Sequence, residues 1–359
     1  DSSLWNPIQH GFYNACLRSG YQDCPDHNYP YAEGVGPPTF NRVNGIRYST
    51  ALTYIEPARN RENLTIWTNC LVHRVIFSGA RAVGISVESD GDISYQYASE
   101  IILSAGVIGS PHILMLSGIG PVNKLEPLGI RVVSDLPGLG ENLRDHPKTM
   151  VSWEANHDVS SLPLTREGGP WLRYTASGSS LRNDMAMGFG TYPMRELDGS
   201  QLSAPDASLP LIIENTIGIM LAASAGKIEL VSDDPHIQPK LDYNYLSDPF
   251  DLERMREAIR ISISLSEDSE LRPWIGSILQ PTATDLVNDD SLNTWLLRNT
   301  WSYSHSCGTC KMGPDNDSMA SVDQTGIVKG IKGLRVVDAS IMPDCVRAFL
   351  HATVIMIGE

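Results

Sequence analysis

Positive charge is what this sequence has least of. Against 42 Asp and Glu stand 27 Lys and Arg, a formal net charge of -15, and no run of basic residues forms an arm. Nucleic-acid binders gain affinity from counterion release at a basic patch, so a nucleic-acid partner is excluded. Long apolar runs are also missing. A bilayer-crossing helix needs about 18 apolar residues, and the longest candidate, Leu209 to Gly226, is broken by Glu214 and Asn215. It reads as a buried strand followed by a turn of small residues, so no transmembrane segment is expected. Six cysteines in 359 residues are too few for a disulfide scaffold. They point to a reduced compartment, with the cytoplasm as the expected location. The first residues carry neither the charged leader nor the apolar core of a signal peptide. An initiating Met is absent, and TVIMIGE closes the chain without a helix cap, so both ends read as cut.

What is present is ordinary globular material. Hydrophobic residues make up 42% and charged residues 19%, enough to bury a core in one large or two smaller domains. From Glu62 to Leu103, runs rich in Val, Ile, Thr and Tyr alternate with the turn signals SGAR and SDGD, the pattern of a strand meander. SAGVIGSPHILMLSGIGP (Ser104 to Pro121) follows, where a glycine turn opens a helix. A strand, a glycine turn and a helix make a seat for a phosphate or ribose, because small residues permit close approach and the helix start offers unpaired N–H groups. VVSDLPGLGENLRDHP (Val132 to Pro147) reads as a loop crossing between domains. Beyond it the texture changes. GKIELVSDD (Gly226 to Asp234) is strand-like, and Asp248 to Glu267 carries Leu252, Met255, Ile259 and Ile263 at helical spacing behind an Asp248 cap and Pro249. GIKGLRVVDASIMPD (Gly330 to Asp344) predicts a short buried strand ending in Asp338, where nucleotide-binding sheets place an acidic contact.

One short stretch poses a chemical question. SYSHSCGTCKMG (Ser302 to Gly313) sets His305 two residues ahead of Cys307 and Cys310. A zinc site needs two further ligands of similar specificity, and no second Cys pair is present. A thioredoxin-like pair wants the CxxC at a helix start in a small fold. Two buried thiols packing as weakly polar hydrophobes is the plainer expectation, and no metal is expected. A lone histidine near an apolar segment is, on its own residues, more often a satisfied core group than a base.

Several blocks together carry a resemblance. SAGVIGSPHILMLSGIGP, GLGENLRDHP, GKIELVSDDPHIQPKLDYNYLSDPFDLERM, HSCGTCKMGP and GLRVVDASIMPDCVRA are similar, in that order, to blocks of the glucose-methanol-choline (GMC) oxidoreductases, choline-dehydrogenase-like members above all. Two departures stand out. Val107 replaces a small residue of the family signature. The GxGxxG fingerprint that opens such enzymes is not in this chain, and GLGEN (Gly138 to Asn142) follows no clear strand.

The resemblance implies an α/β fold: an FAD-binding Rossmann-like portion, incomplete at its N-terminus, with an inserted mixed-sheet substrate domain. The expected division is 1–147 and 300–359 for the flavin portion, the latter holding the catalytic histidines, and 148–299 for the substrate domain. It implies FAD as cofactor and oxidation of a primary or secondary alcohol to aldehyde or ketone, hydride passing to flavin N5. His305 is then the general base, a role suited to imidazole near neutral pH. His351 would hydrogen-bond the substrate oxygen. For the flavin, the family's positions fall on Val72, Ala105, Gly106, Asp338, Ala339, Thr353 and Val354. Phe349, Leu350 and His351 stand where relatives carry Asn-rich patterns, which suggests an alcohol less polar than choline. A quinone-like acceptor and oxygen both remain open as the electron sink. Cleavage of a hydroxynitrile on the same fold, and a chain without catalysis, are the alternatives. His146 is expected to shape its loop, His73, His112 and His236 to be surface or packing residues, and Arg47 to be structural.

Overall fold

The computed structural model describes residues 5–157, 159, 162, 169–193 and 211–359. The meander forms as expected: strands Leu71–Ser78, Arg81–Ser89 and Asp92–Tyr97 pair antiparallel in chain order. Asp90 and Gly91 take φ of 52° and 87° between the second and third strands. Two successive positive φ values give the hairpin turn that matches strand twist. The chain then enters strand Ile101–Leu103 and helix Gly106–Leu116. Strand Leu334–Val336 returns to pair in parallel with Ile101–Leu103. It is shorter than expected: pairing stops at Val336, and Asp338 caps a following 3-10 turn by accepting from Ser340 N. Leu114, Leu116, Ile119, Leu139, Val328 and Leu334 bury themselves in one core beneath that helix. Each such side chain removed from water contributes about 1.5–3 kcal/mol.

A second, larger layer is an antiparallel sheet in the order 34–36, 171–174, 185–193, 211–219, 147–155 and 275–280, with 301–302 also joining 147–155. Of the apolar segment Leu209–Gly226, residues 209–210 lie outside the described set, and Leu211–Ile219 is a strand of this sheet. Met185, Met187 and Phe189 alternate inward, Met185 opposite Ile219 and Met187 opposite Ile217, and share one core with Ile213. Helix Pro249–Ser266 covers that face with Met255, Ala258, Ile259 and Leu265, and Asp248 caps it by accepting from Phe250 N. Arg254, 1% exposed, bridges the helix to the sheet by donating to Asp184 at 2.7 Å and to Asp251. The parallel pairs, 101–103 with 334–336 and 119–120 with 134–135, lie outside this layer. The fold is therefore α/β, with a nucleotide-type strand–turn–helix unit beside a helix-backed sheet.

The crossing loop joins the two. Leu143 bridges to Gly226 and Arg144 to Cys307 through backbone pairs. Its glycine serves contact rather than phosphate binding: a Cβ on Gly138 would sit 2.1 Å from the Met319 carbonyl oxygen. Gly308, at φ 92°, gives the reciprocal approach, since a Cβ there would lie 2.5 Å from Asn142 O. These tight backbone passes fix the His305 segment against the loop that carries Asp145 and His146.

Candidate active site

Strand Trp301–Ser302 delivers the chain into the turn that holds His305. Ser304, between Tyr303 and His305, takes φ 64°, a left-handed conformation that few side chains adopt cheaply. Its N–H donates to Ser302 Oγ at 2.7 Å. The consequence is that the Tyr303 and His305 rings stack, 5.3 Å apart at an interplanar angle of 3°.

Asp145 organises the turn from across the loop. Its Oδ1 accepts from His146 N at 2.7 Å and from His305 N at 3.0 Å, while Oδ2 accepts from Tyr245 Oη at 2.7 Å and from Ser302 Oγ. Burial, then the Asp145 charge, pushes the Tyr245 hydroxyl far above its ordinary range, so it stays a donor.

The fully buried His146 is the side-chain partner of His305. Its Nε2 lies 3.0 Å from Val346 O, and a carbonyl only accepts, so Nε2 carries the hydrogen. His146 Nδ1 faces His305 Nδ1 at 3.0 Å. With a single ring hydrogen on His146, His305 Nδ1–H is the donor and the lone pair of His305 stands on Nε2. Burial, His146 and the Lys148 ammonium all hold His305 below the ordinary imidazole range, so the ring is neutral at pH 7.

His305 lines a cavity of about 950 Å³. Phe40, Trp171, Tyr303 and Phe349 supply aromatic walls, and the Phe349 ring centroid is 4.9 Å from that of His305. His351, first residue of helix His351–Gly358, lines the same cavity. Its Nε2 is 3.3 Å from Asn41 Nδ2, an amide donor that also reaches Tyr48 O. His351 thus carries its hydrogen on Nδ1.

The other expected positions fall into two groups. Ala339 and Val354 line the cavity with both histidines. Ala105, Gly106 and Asp338 meet at a second point one residue away from Ala339. There Asp338 Oδ2 accepts from Gly106 N at 2.9 Å and from Ser110 Oγ at 2.5 Å. Val72, half-buried in the meander, and Thr353, half-buried in the terminal helix, line neither. The expected strand-end contact of Asp338 is thus, in protein terms, a clasp between helix start and 3-10 turn.

Asp145 escaped the sequence reading and His146 was expected only to shape its loop, although RDHP stood within a recognised block; nothing local said that the loop would face His305. Arg47, expected to be structural, lines the cavity together with Arg42, Arg173 and Arg347. His73 and His236, expected to be surface or packing residues, converge on Glu88. His112 is a packing residue as expected, 7% exposed. Cys307 and Cys310 are buried and unpaired with each other, and Cys307 Sγ instead lies 3.2 Å from Cys345 Sγ. Burial pushes the Cys310 thiol up, so it is inert.

A neutral imidazole thus stands in an aromatic-walled cavity, and Ala339 of its lining adjoins Asp338 at the strand–glycine–helix unit. The comparisons with known proteins supply the class of chemistry. Family models described as GMC oxidoreductase match residues 3–148 and 222–358. An oxygen-dependent choline dehydrogenase of Escherichia coli O6:H1 is 36% identical over 382 aligned positions, covering 99% of this chain and 67% of that protein. A choline dehydrogenase of the same description from Pseudomonas putida is 35% identical, covering 99% of this chain and 66% of that protein. Pyridoxine 4-oxidase from Mesorbium loti superposes with a TM-score of 0.88 at 27% identity, over 99% of this chain and 69% of that one. Formate oxidase of Aspergillus oryzae RIB40 shares the fold at 23% identity, TM-score 0.84, over 98% of this chain and 69% of that one.

The chain belongs to the GMC oxidoreductase family, flavoenzymes that act on CH–OH donors with FAD. It spans about two thirds of the length of these curated relatives. The residues present fit that cofactor. Gly106, at φ 80°, has no atom within 4 Å of where a Cβ would stand, and the Ala105 cap of its helix makes no side-chain bond. Open space before a helix start suits a phosphate or sugar. No helix among the described residues is long and apolar enough to cross a membrane.

Proposed function

We propose that this protein oxidises a primary or secondary alcohol to an aldehyde or ketone, with His305 as the general base. The observation that supports the reading is the hydrogen-bonded chain from Val346 O through His146 to His305, a histidine that lines the aromatic cavity. His305 Nε2 takes the hydroxyl proton. His351 Nδ1–H is suited to donate to the same oxygen and hold its developing charge, a role worth about 3–4 kcal/mol when the donor is preorganised. When bound, FAD accepts the hydride that leaves the substrate carbon. Ala105, Gly106, Asp338 and Ala339 would hold its sugar and phosphate chain, Thr353 and Val354 would lie along its ring, and Val72 would reach the adenine.

The substrate fits the walls. Trp171, Tyr303 and Phe349 form an aromatic enclosure, with Trp171 meeting Phe349 edge-on at 6.0 Å. Such a box also suits a quaternary ammonium, but Arg173 and Arg347 on the same cavity repel a fixed cation. An uncharged, aromatic alcohol is the better occupant. Residues 1–147 and 300–359 would form the flavin portion and 148–299 the substrate portion. Both oxygen and a quinone-like acceptor are chemically compatible electron sinks.

Anaerobic addition of a benzylic alcohol to the FAD-loaded protein tests this. Bleaching of the flavin absorbance with release of aldehyde is expected, and its loss in His305→Asn. A flavin that stays oxidised while a cyanohydrin is split would instead establish the lyase reading.

A further inference from the structure

Far from the cavity, the meander carries a second cluster of ligating side chains. We propose that His73, Glu88 and His236 form a binding site for a divalent transition metal, zinc above all, with one coordination position open to water.

Three separate pieces of backbone bring the residues together. Strand Leu71–Ser78 pairs with Arg81–Ser89 as Val72 to Val87 and then Arg74 to Ser86, so His73 is an extra, bulged residue. A bulge re-aims a side chain, here toward Glu88 on the neighbouring strand. His236 arrives from the loop after strand Lys227–Glu229. Two contacts hold that loop in place: His236 N donates to Asp234 Oδ1 at 2.9 Å, and Arg74 donates to Asp233 O at 2.8 Å.

The ligand atoms face one point. His73 Nε2 lies 2.8 Å and His236 Nε2 3.0 Å from the same oxygen, Glu88 Oε2. The three ligand atoms lie within 4.8 Å of one another. The imidazoles meet edge-on, centroids 5.6 Å apart at 78°, so neither ring blocks the other's nitrogen. Tetrahedral zinc with bonds of about 2.0–2.2 Å places its ligand atoms about 3.3 Å apart. Each imidazole nitrogen needs to draw back from the Glu88 oxygen by only a few tenths of an ångström. Binding would move each ring hydrogen to Nδ1 and leave both Nε2 lone pairs on the metal. Two imidazoles and one carboxylate favour zinc or its neighbours over magnesium or calcium, which prefer all-oxygen shells. The His73 side chain is 11% exposed and that of His236 54%, which gives the ion a path in and leaves room for a water. A metal here would clamp the 232–238 loop onto the meander.

The test titrates the chelator-stripped protein with zinc against a chromogenic competitor. One equivalent should bind in the wild type and equally in His305→Asn, which removes the other paired histidine. Binding should weaken at least tenfold in His236→Ala and in Glu88→Gln. Because His236 stands in an exposed loop, its variant should keep the zinc-free Tm of the wild type, and zinc should raise Tm only in proteins that retain the cluster. Cobalt bound in place of zinc should show the visible d–d bands of a four-coordinate site, lost in His236→Ala. Undiminished zinc binding in His236→Ala, loss of the equivalent in His305→Asn, or no saturable binding in the wild type would each overturn the site and leave a hydrogen-bonded strut.

Discussion

His146 Nδ1 and His305 Nδ1 stand 3.0 Å apart, and His146 Nε2 lies 3.0 Å from Val346 O on its other side. Replacing His146 by Leu removes the acceptor and frees His305 to take the other tautomer. We expect kcat to fall by about 10²- to 10⁴-fold, the range for a misplaced general base, with KM little changed. A purely structural role for His146 would lower Tm and spare the kcat of the folded fraction. His146 also holds His305 down, so its loss should move the acid limb of the pH–rate profile to higher pH.

The same burial ties stability to pH. Folded His305 resists protonation well below the value near 6.5 that it has when unfolded. The unfolded chain therefore binds more protons across that interval, and stability falls as pH drops below about 6.5. Urea unfolding followed between pH 7 and pH 4 should show a slope that His305→Asn reduces; an unchanged slope would refute the assignment.

Arg254 sits with side chains of 1%, 0% and 0% exposure for itself, Asp184 and Asp251. Asp184→Ala strands a buried charge and should cost about 3–5 kcal/mol. The exposed pair Arg260–Asp289 is the control, where Asp289→Ala should cost under about 1 kcal/mol. Paired denaturation curves measure both, and equal losses would contradict the burial argument.

Gly308 cannot take a side chain without moving the crossing loop. Gly308→Ala should destabilise by more than about 1 kcal/mol and lower kcat further than that loss of fold explains, because His305 is fastened to the same loop through Asp145. Thermal melts and kcat on the folded fraction separate the two effects.

Local order was legible in the sequence because it is encoded locally. Period-two runs and SDGD specify the meander, Asp248–Pro249 starts its helix where expected, and the glycine turn at Gly106 opens the next one. Family blocks placed His305 and His351, and the structure brings both to one cavity. Asp338 was legible as a residue but not as a clasp, since its partners Gly106 and Ser110 lie more than 200 positions away.

The sequence by itself therefore determined the elements, the family and the candidate status of His305 and His351, since propensity, turn chemistry and colinear blocks act over short spans. Only the tertiary structure decided what His305 meets, because His146, itself held by Val346, and Asp145 reach it from other segments. It likewise brought Cys345 rather than Cys310 to Cys307, and gathered His73, Glu88 and His236 at one point. Hydrogen-bond direction and ligand convergence depend on distances of a few ångströms between chain-distant groups, and packing alone sets those distances.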